Sequence, residues 1–180
     1  MEFIAAFDIG TTNIKGVLIE KDGSLRFSQT HSLNTVFGKS ETVEQDPNEW
    51  WEKLCHIAAN WWDNGVEPDS IKAIVMSGQM QDCIPIDRTG NPVRPAILYS
   101  DGRAKAQAES IDKTLPFIRE KTGNHFDGTM VLPKIRWMAE KEHATYEKTV
   151  TFFVNAKDFA IYKLTGQAVC NWYACFIWGR

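Results

Sequence analysis

The chain has 180 residues, with 20 Lys+Arg against 23 Asp+Glu for a formal net charge of −3, and 43% of its residues are hydrophobic. That balance belongs to an ordinary globular protein, and without a Lys/Arg-rich stretch it carries no electrostatic footprint for nucleic acid or an anionic membrane. No apolar stretch approaches the roughly 18 residues of a membrane span, the N-terminus lacks the basic flank of a signal peptide, and Cys55, Cys83, Cys170 and Cys175 lack zinc-ligand spacing, so a cytoplasmic protein with reduced thiols and a small-molecule ligand is expected.

Phe3 to Ile9 is a short apolar run, Ile14 to Glu20 resumes it after Gly10-Thr11-Thr12-Asn13, and Ser24 to His31 follows Asp22-Gly23. These read as a three-stranded antiparallel meander with tight turns, which sets Asp8 at the tip of the first strand. Asp46 reads as a helix N-cap, with Pro47 at the first helical position and Glu49 three residues after the cap. Behind it Trp50/Trp51, Leu54/Cys55, Ile57/Ala58 and Trp61/Trp62 recur at helical spacing, and this aromatic stripe is read as core packing rather than a sugar-stacking surface.

Ile71 to Met76, Ile84 to Ile86 and Ala96 to Tyr99 have strand character, with a turn at Asp87-Arg88-Thr89-Gly90. Asp101 to Lys113, Leu132 to Lys141 and Ala156 to Leu164 read as helices, with Thr122-Gly123 and Thr165-Gly166 as stops and a strand from Thr149 to Val154. The order fits a mixed α/β domain. The aromatic stretch from Cys170 to Arg180 has no stop signal, so the chain is expected to be truncated, and an exposed aromatic patch there predicts self-association, a homodimer included.

Asp8-Ile9-Gly10-Thr11-Thr12-Asn13-Ile14-Lys15 is the segment richest in chemistry. Gly10 is expected to take a positive φ and let a ligand approach the backbone, while turn amides and the Thr11 and Thr12 hydroxyls donate to phosphate oxygens. Asp8 is placed to hold Mg²⁺ through water, and Lys15 adds a point charge. Read locally, the same turn is equally a hairpin with no ligand.

Further along, Ser77-Gly78-Gln79-Met80-Gln81-Asp82, then Ile86-Asp87 through Pro95-Ala96-Ile97-Leu98-Tyr99-Ser100-Asp101-Gly102-Arg103, then Thr122-Gly123-Asn124, Pro133-Lys134-Ile135 with Trp137, and Lys157-Asp158-Phe159 through Leu164-Thr165-Gly166 appear in order. With the Asp-x-Gly-Thr-Thr turn, this series resembles the FGGY carbohydrate kinases, and within them the xylulokinase-like branch. The resemblance implies an actin-like, ribonuclease-H-like α/β domain: a mixed sheet, three-stranded meander plus further strands, flanked by helices. It also implies that residues 1–180 are a single N-terminal domain of a longer kinase, with the second, ATP-binding domain absent.

The implied activity is transfer of the γ-phosphoryl of MgATP to a sugar hydroxyl, D-xylulose first. Gluconate, ribulose or glycerol as acceptor, or a non-catalytic sugar-sensing remnant, are the alternatives. The resemblance assigns phosphate and ATP binding to Asp8, Gly10, Thr11, Thr12, Asn13 and Lys15, the magnesium to Asp8, and the sugar to Met80, Gln81, Tyr99, Asp101 and Arg103. It assigns no catalytic residue to this chain, because the family's general-base aspartate is expected beyond Arg180 and the isolated chain is then inactive. Gln81 stands where xylulokinases usually have His, Asp82 where they have Gly, and Tyr99 where they have Trp. Taken locally, Met80 is equally core filler, Asp101 a cap of the alanine-rich helix, and Arg103 a first-turn residue paired with a carboxylate.

Overall fold

Phe3, Ala5, Phe7 and Ile9 are buried on one side of strand β1 (Phe3–Ile9), the period-2 signature of a sheet with one covered face. In the computed structural model, which describes residues 1–39, 41–123 and 125–170, β1 pairs antiparallel with β2 (Asn13–Glu20), and β2 with β3 (Leu25–Ser32). The meander is thus present as expected. A parallel strand, β6 (Ile71–Gly78), joins the other edge of β1, giving the order β3-β2-β1-β6.

Between β3 and β6 the chain makes two short strands, β4 (Val36–Phe37) and β5 (Val43–Gln45), and helix α1 (Pro47–Asp63). Asp46 caps α1 by accepting the Asn48 N–H at 2.9 Å, with Pro47 leading the first turn. The Glu49 carboxylate does not reach back to the cap: it accepts from the Asn34 backbone N–H at 3.1 Å and the Asn34 side chain at 2.8 Å, and so ties β4's approach to the helix. Trp50, Leu54, Ile57 and Trp61 lie buried against the sheet, with the Phe7 and Trp61 ring centroids 5.3 Å apart. The packing reading of the stripe therefore holds for Trp50 and Trp61, while Trp62 faces out. Gly16 permits the close approach of α1, since a Cβ there would stand 2.6 Å from the Ile57 Cγ2.

A second sheet, of order β4-β5-β8-β7-β9, is built from β7 (Met80–Ile86), β8 (Ala96–Ile97) and β9 (Thr151–Asn155) with the two short strands. Helices α2 (Lys105–Thr114), α3 (Pro116–Thr122), α4 (Val131–Lys141), α5 (His143–Lys148) and α6 (Ala156–Thr165) complete the described residues. Cys83, Ile97, Val131, Met138 and Val154 form the core between α4 and this sheet. Phe153, Phe159 and Ala160 carry the main core from β9 and α6 toward Trp50. The expected stop after α6 is present: Gly166 sits at φ 71 and donates to the Tyr162 carbonyl at 2.8 Å.

Helix α2 starts later than its composition suggests, with Ala104 at the N-cap, so Asp101 caps nothing. No helix among the described residues is long and apolar enough to cross a membrane. The expectation for the aromatic stretch falls, from residue 171 on, outside the described residues.

Candidate functional site

The turn between β1 and β2 is closed by the Gly10 N–H donating to the Asn13 carbonyl at 3.0 Å. Gly10 is not at positive φ, contrary to the expectation. What excludes a side chain is crowding, because a Cβ would stand 3.0 Å from that same Asn13 oxygen. The loop carbonyls turn inward: Thr11 O accepts from the buried Gln45 side chain at 2.6 Å and Thr12 O from the Leu33 N–H at 2.8 Å. Among the described residues no acceptor faces the Thr11 and Thr12 amides, so the turn presents N–H and hydroxyl donors outward. Asp8 and Lys15 lie opposite each other in the register, both exposed, with Ser77 of β6 on Asp8's other side. This donor set beside an exposed carboxylate fits a phosphate group and a hydrated divalent cation.

Beyond the tip of β1 the chain passes from one sheet to the other at Gln79, whose N–H donates to Ile9 O at 2.8 Å and whose carbonyl accepts from the Ala156 N–H at 3.1 Å. Gln45 bridges this junction to the turn. Its amide oxygen accepts from the Trp50 indole and the Gln79 side chain, both at 2.9 Å, while its NH₂ serves Thr11 O and Thr35 Oγ1. Gln45 was not singled out from the sequence. A lone Gln before a helix cap carries no signal of burial, and only the tertiary meeting of β5, α1 and the junction gives it partners.

Met80 and Tyr99 are 55% and 43% exposed, and Gln81 is half-buried at φ 64, a left-handed conformation rare outside glycine. The Thr11 hydroxyl meets the Tyr99 hydroxyl at 3.4 Å, so the turn and the Tyr99 segment share one rim. Asp101 and Arg103 sit behind that rim. Asp101 is wholly buried: its oxygens accept from the Val43 N–H at 2.5 Å, from the Arg103 N–H at 3.0 Å and from the Arg103 guanidinium at 2.9 and 2.6 Å. Arg103 also pairs with Glu44 at 2.6 Å and lies over the Trp137 ring at 4.9 Å, while Arg94 joins the network through Glu44 and, at 2.8 Å, Glu142.

Two further ionisable groups, Asp82 and Lys134, are fully buried under the rim. Burial pushes the Asp82 carboxyl up to about 7, against the pull of the Tyr99 N–H and the Lys134 charge. Burial likewise draws the Lys134 ammonium down to about 8, with Asp82 opposing. A cavity of about 540 Å³, lined by Asn34, Glu44, Gln45, Glu49 and His56 among others, touches none of Met80, Gln81, Tyr99, Asp101 or Arg103.

The meander joined by a parallel strand, with a donor-rich turn at the tip of its first strand, is the actin-like ATPase fold of sugar kinases. The xyloylose kinase of Brucella ovis superposes with a TM-score of 0.81 at 27% identity, covering 92% of this chain and 35% of that one. The ligand-bound xylulose kinase of Lactobacillus acidophilus gives 0.82 at 23%, over 93% of this chain and 34% of that one. Residues 3–173 match the family model for the N-terminal domain of the FGGY family of carbohydrate kinases. The chain belongs to that family. It is 34% identical over 169 residues to the xylulose kinase of Staphylococcus xylosus, covering 93% of this chain and 35% of that protein, and 27% identical to the glycerol kinase of Thermococcus onnurineus over 94% and 36%. It thus spans about a third of the length of these relatives.

Proposed function

We propose that these residues are the N-terminal domain of an ATP-dependent carbohydrate kinase that moves the γ-phosphoryl of MgATP to a sugar hydroxyl, with D-xylulose the first acceptor to test. The observation that carries the reading is the Thr11 to Tyr99 contact at 3.4 Å, which supports a single rim shared by a phosphate turn and a sugar-facing wall. Phosphoryl transfer asks the protein chiefly for positioning and charge neutralisation.

In this reading the Thr11 and Thr12 amides and hydroxyls donate to phosphate oxygens, Gly10 keeps the turn narrow, and Asn13 and Lys15 flank it. Asp8 would hold Mg²⁺, and the ion would supply charge neutralisation at the phosphates. Gln81 offers both a donor and an acceptor to sugar hydroxyls, with Met80 and Tyr99 as the apolar wall. Asp101 and Arg103 serve from behind, fixing Val43 and the chain that follows Tyr99. A second, ATP-binding domain and a general-base aspartate complete the enzyme from outside residues 1–180. These residues alone then bind sugar without turning it over, in the cytoplasm of the cell that makes the protein.

Calorimetric titration with D-xylulose, D-ribulose, D-gluconate and glycerol, with and without MgATP, tests this. Selective binding of one acceptor that Gln81→Ala abolishes supports the rim, and Asp8→Ala is expected to remove the magnesium-dependent part of nucleotide binding. Binding that survives Gln81→Ala unchanged overturns the assignment of the sugar.

A further inference from the structure

We propose that buried Lys134 and Asp82 are a positioning pair that braces the backbone carrying Gln81 against the backbone carrying Tyr99, and so sets the shape of the sugar-facing rim; the rim itself rests on the reading above. The regular pairing of β7 with β8 consists of Cys83 opposite Ile97. Gln81, Asp82, Leu98 and Tyr99 therefore lie past the ladder, where no run of sheet hydrogen bonds sets the spacing of the two segments. Side chains take over there. The Lys134 ammonium reaches from α4 to donate to Leu98 O at 2.6 Å and Gln81 O at 3.4 Å, one carbonyl on each segment. The Asp82 carboxylate completes the brace in the other direction by accepting the Tyr99 N–H at 3.0 Å.

The chemistry of the pair favours geometry over stability as its purpose. An ammonium and a carboxylate taken wholly out of water lose hydration that their mutual attraction rarely repays, and well-packed apolar side chains serve stability at least as well. The pair is not even complete as an electrostatic arrangement, because the second oxygen of Asp82 is buried without a hydrogen-bond partner. What the two charges do achieve is to fix three backbone groups next to Gln81, whose φ of 64 persists only where its surroundings over-determine it.

The test compares wild type, Lys134→Met, Asp82→Ala, Asp82→Asn and the Asp82→Asn/Lys134→Met double variant in the intact protein. Amide hydrogen exchange is read at Tyr99 and at residues 79–82, with β1 as internal control, alongside KM for D-xylulose and for ATP. Asp82→Ala is expected to speed exchange at Tyr99 by about tenfold or more relative to β1, as loss of one buried hydrogen bond implies, whereas Asp82→Asn, which keeps an acceptor, stays within about twofold. Lys134→Met is expected to raise the sugar KM by about tenfold with the ATP KM little changed, and the double variant to recover part of that loss by removing the unpaired carboxylate. Exchange at Tyr99 that tracks β1 in Asp82→Ala overturns the brace, as does a Lys134→Met variant that lowers kcat with both KM values unchanged, which marks plain destabilisation, or one that raises both KM values equally, which marks a change not confined to the rim. If Lys134→Met does not fold, the two Asp82 variants decide. A wild-type protein that phosphorylates no sugar refutes the reading of the rim, while the exchange measurements still decide whether the pair braces the two segments.

Discussion

Gln45→Leu is the most informative single change in the molecule, because one buried amide holds the turn between β1 and β2, helix α1 and the junction between the sheets. Leucine fills nearly the same volume but leaves the Trp50 indole N–H and the Gln79 side-chain NH₂ without the acceptor each now has at 2.9 Å. Trp50 is fully buried and Gln79 nearly so, so neither donor recovers a water partner cheaply. Each orphaned buried donor costs about 1–3 kcal/mol, so the two together put the variant about 2–6 kcal/mol below wild type. In a chain of this size, where each kcal/mol moves Tm by about 2–4 °C, that is a fall of at least about 4 °C in Tm. Urea unfolding followed by circular dichroism reads the loss directly, as a lower midpoint at unchanged slope. Trp50→Phe removes the stranded indole N–H, so in the Gln45→Leu background it costs at least about 1 kcal/mol less than in wild type. Strictly additive single and double variants, or a Gln45→Leu loss under about 1 kcal/mol, would refute the view that this amide is the central tie.

The remaining predictions concern pH, close packing and the uncovered sheet face. Because burial raises the Asp82 carboxyl from its ordinary 3.8 to about 7, the folded chain keeps a proton that the unfolded chain has lost, so stability from this group falls as pH rises across that window. One proton sets a slope of at most about 1.4 kcal/mol per pH unit, and Asp82→Asn is expected to flatten it in urea titrations at pH 5 and pH 7. Lys134 acts oppositely: with its pKa lowered from 10.5 to about 8, its buried charge is relieved above pH 8, and stability from this group rises through the alkaline range. Gly16→Ala drives a methyl to 2.6 Å from the Ile57 Cγ2 and is expected to cost about 1–3 kcal/mol, and less in an Ile57→Ala background, which lacks that Cγ2, as thermal melts of the single and double variants would read. On the face of the first sheet away from α1, Ile4 and Val75 are 42% and 56% exposed beside Ala6 and Val17, so the 180-residue chain is expected to self-associate with concentration. Val75→Lys should shift it toward monomer in light scattering while changing stability by no more than about 0.5 kcal/mol.

Which features were readable from the sequence depended on whether the physics that fixes them is local. The meander, the capped start of α1 and the glycine stop of α6 are set by neighbouring residues, and each lies within a few residues of its expected place. β4, β5 and α5 are too short for periodicity to register, and they exist because tertiary partners hold them: the Val43 N–H on Asp101, Glu49 on Asn34, Arg94 between Glu44 and Glu142. The same division runs through the site. The turn from Asp8 to Lys15 is a local object and was legible, apart from the φ of Gly10, where crowding rather than handedness excludes a side chain. The rim is not local. Its strained residue is Gln81 rather than a glycine, and its supports are Gln45, Asp82 and Lys134, drawn from three distant stretches of chain; Asp82 and Lys134 stand in legible motifs, but their supporting role shows only in burial and partners. A polar residue looks the same in sequence whether it faces water or closes a buried network. Asp101 and Arg103 differ in the same way: the motif that carries them is plain in the sequence, yet the fold turns their charges toward each other and Glu44, a burial that no spacing of residues foretells.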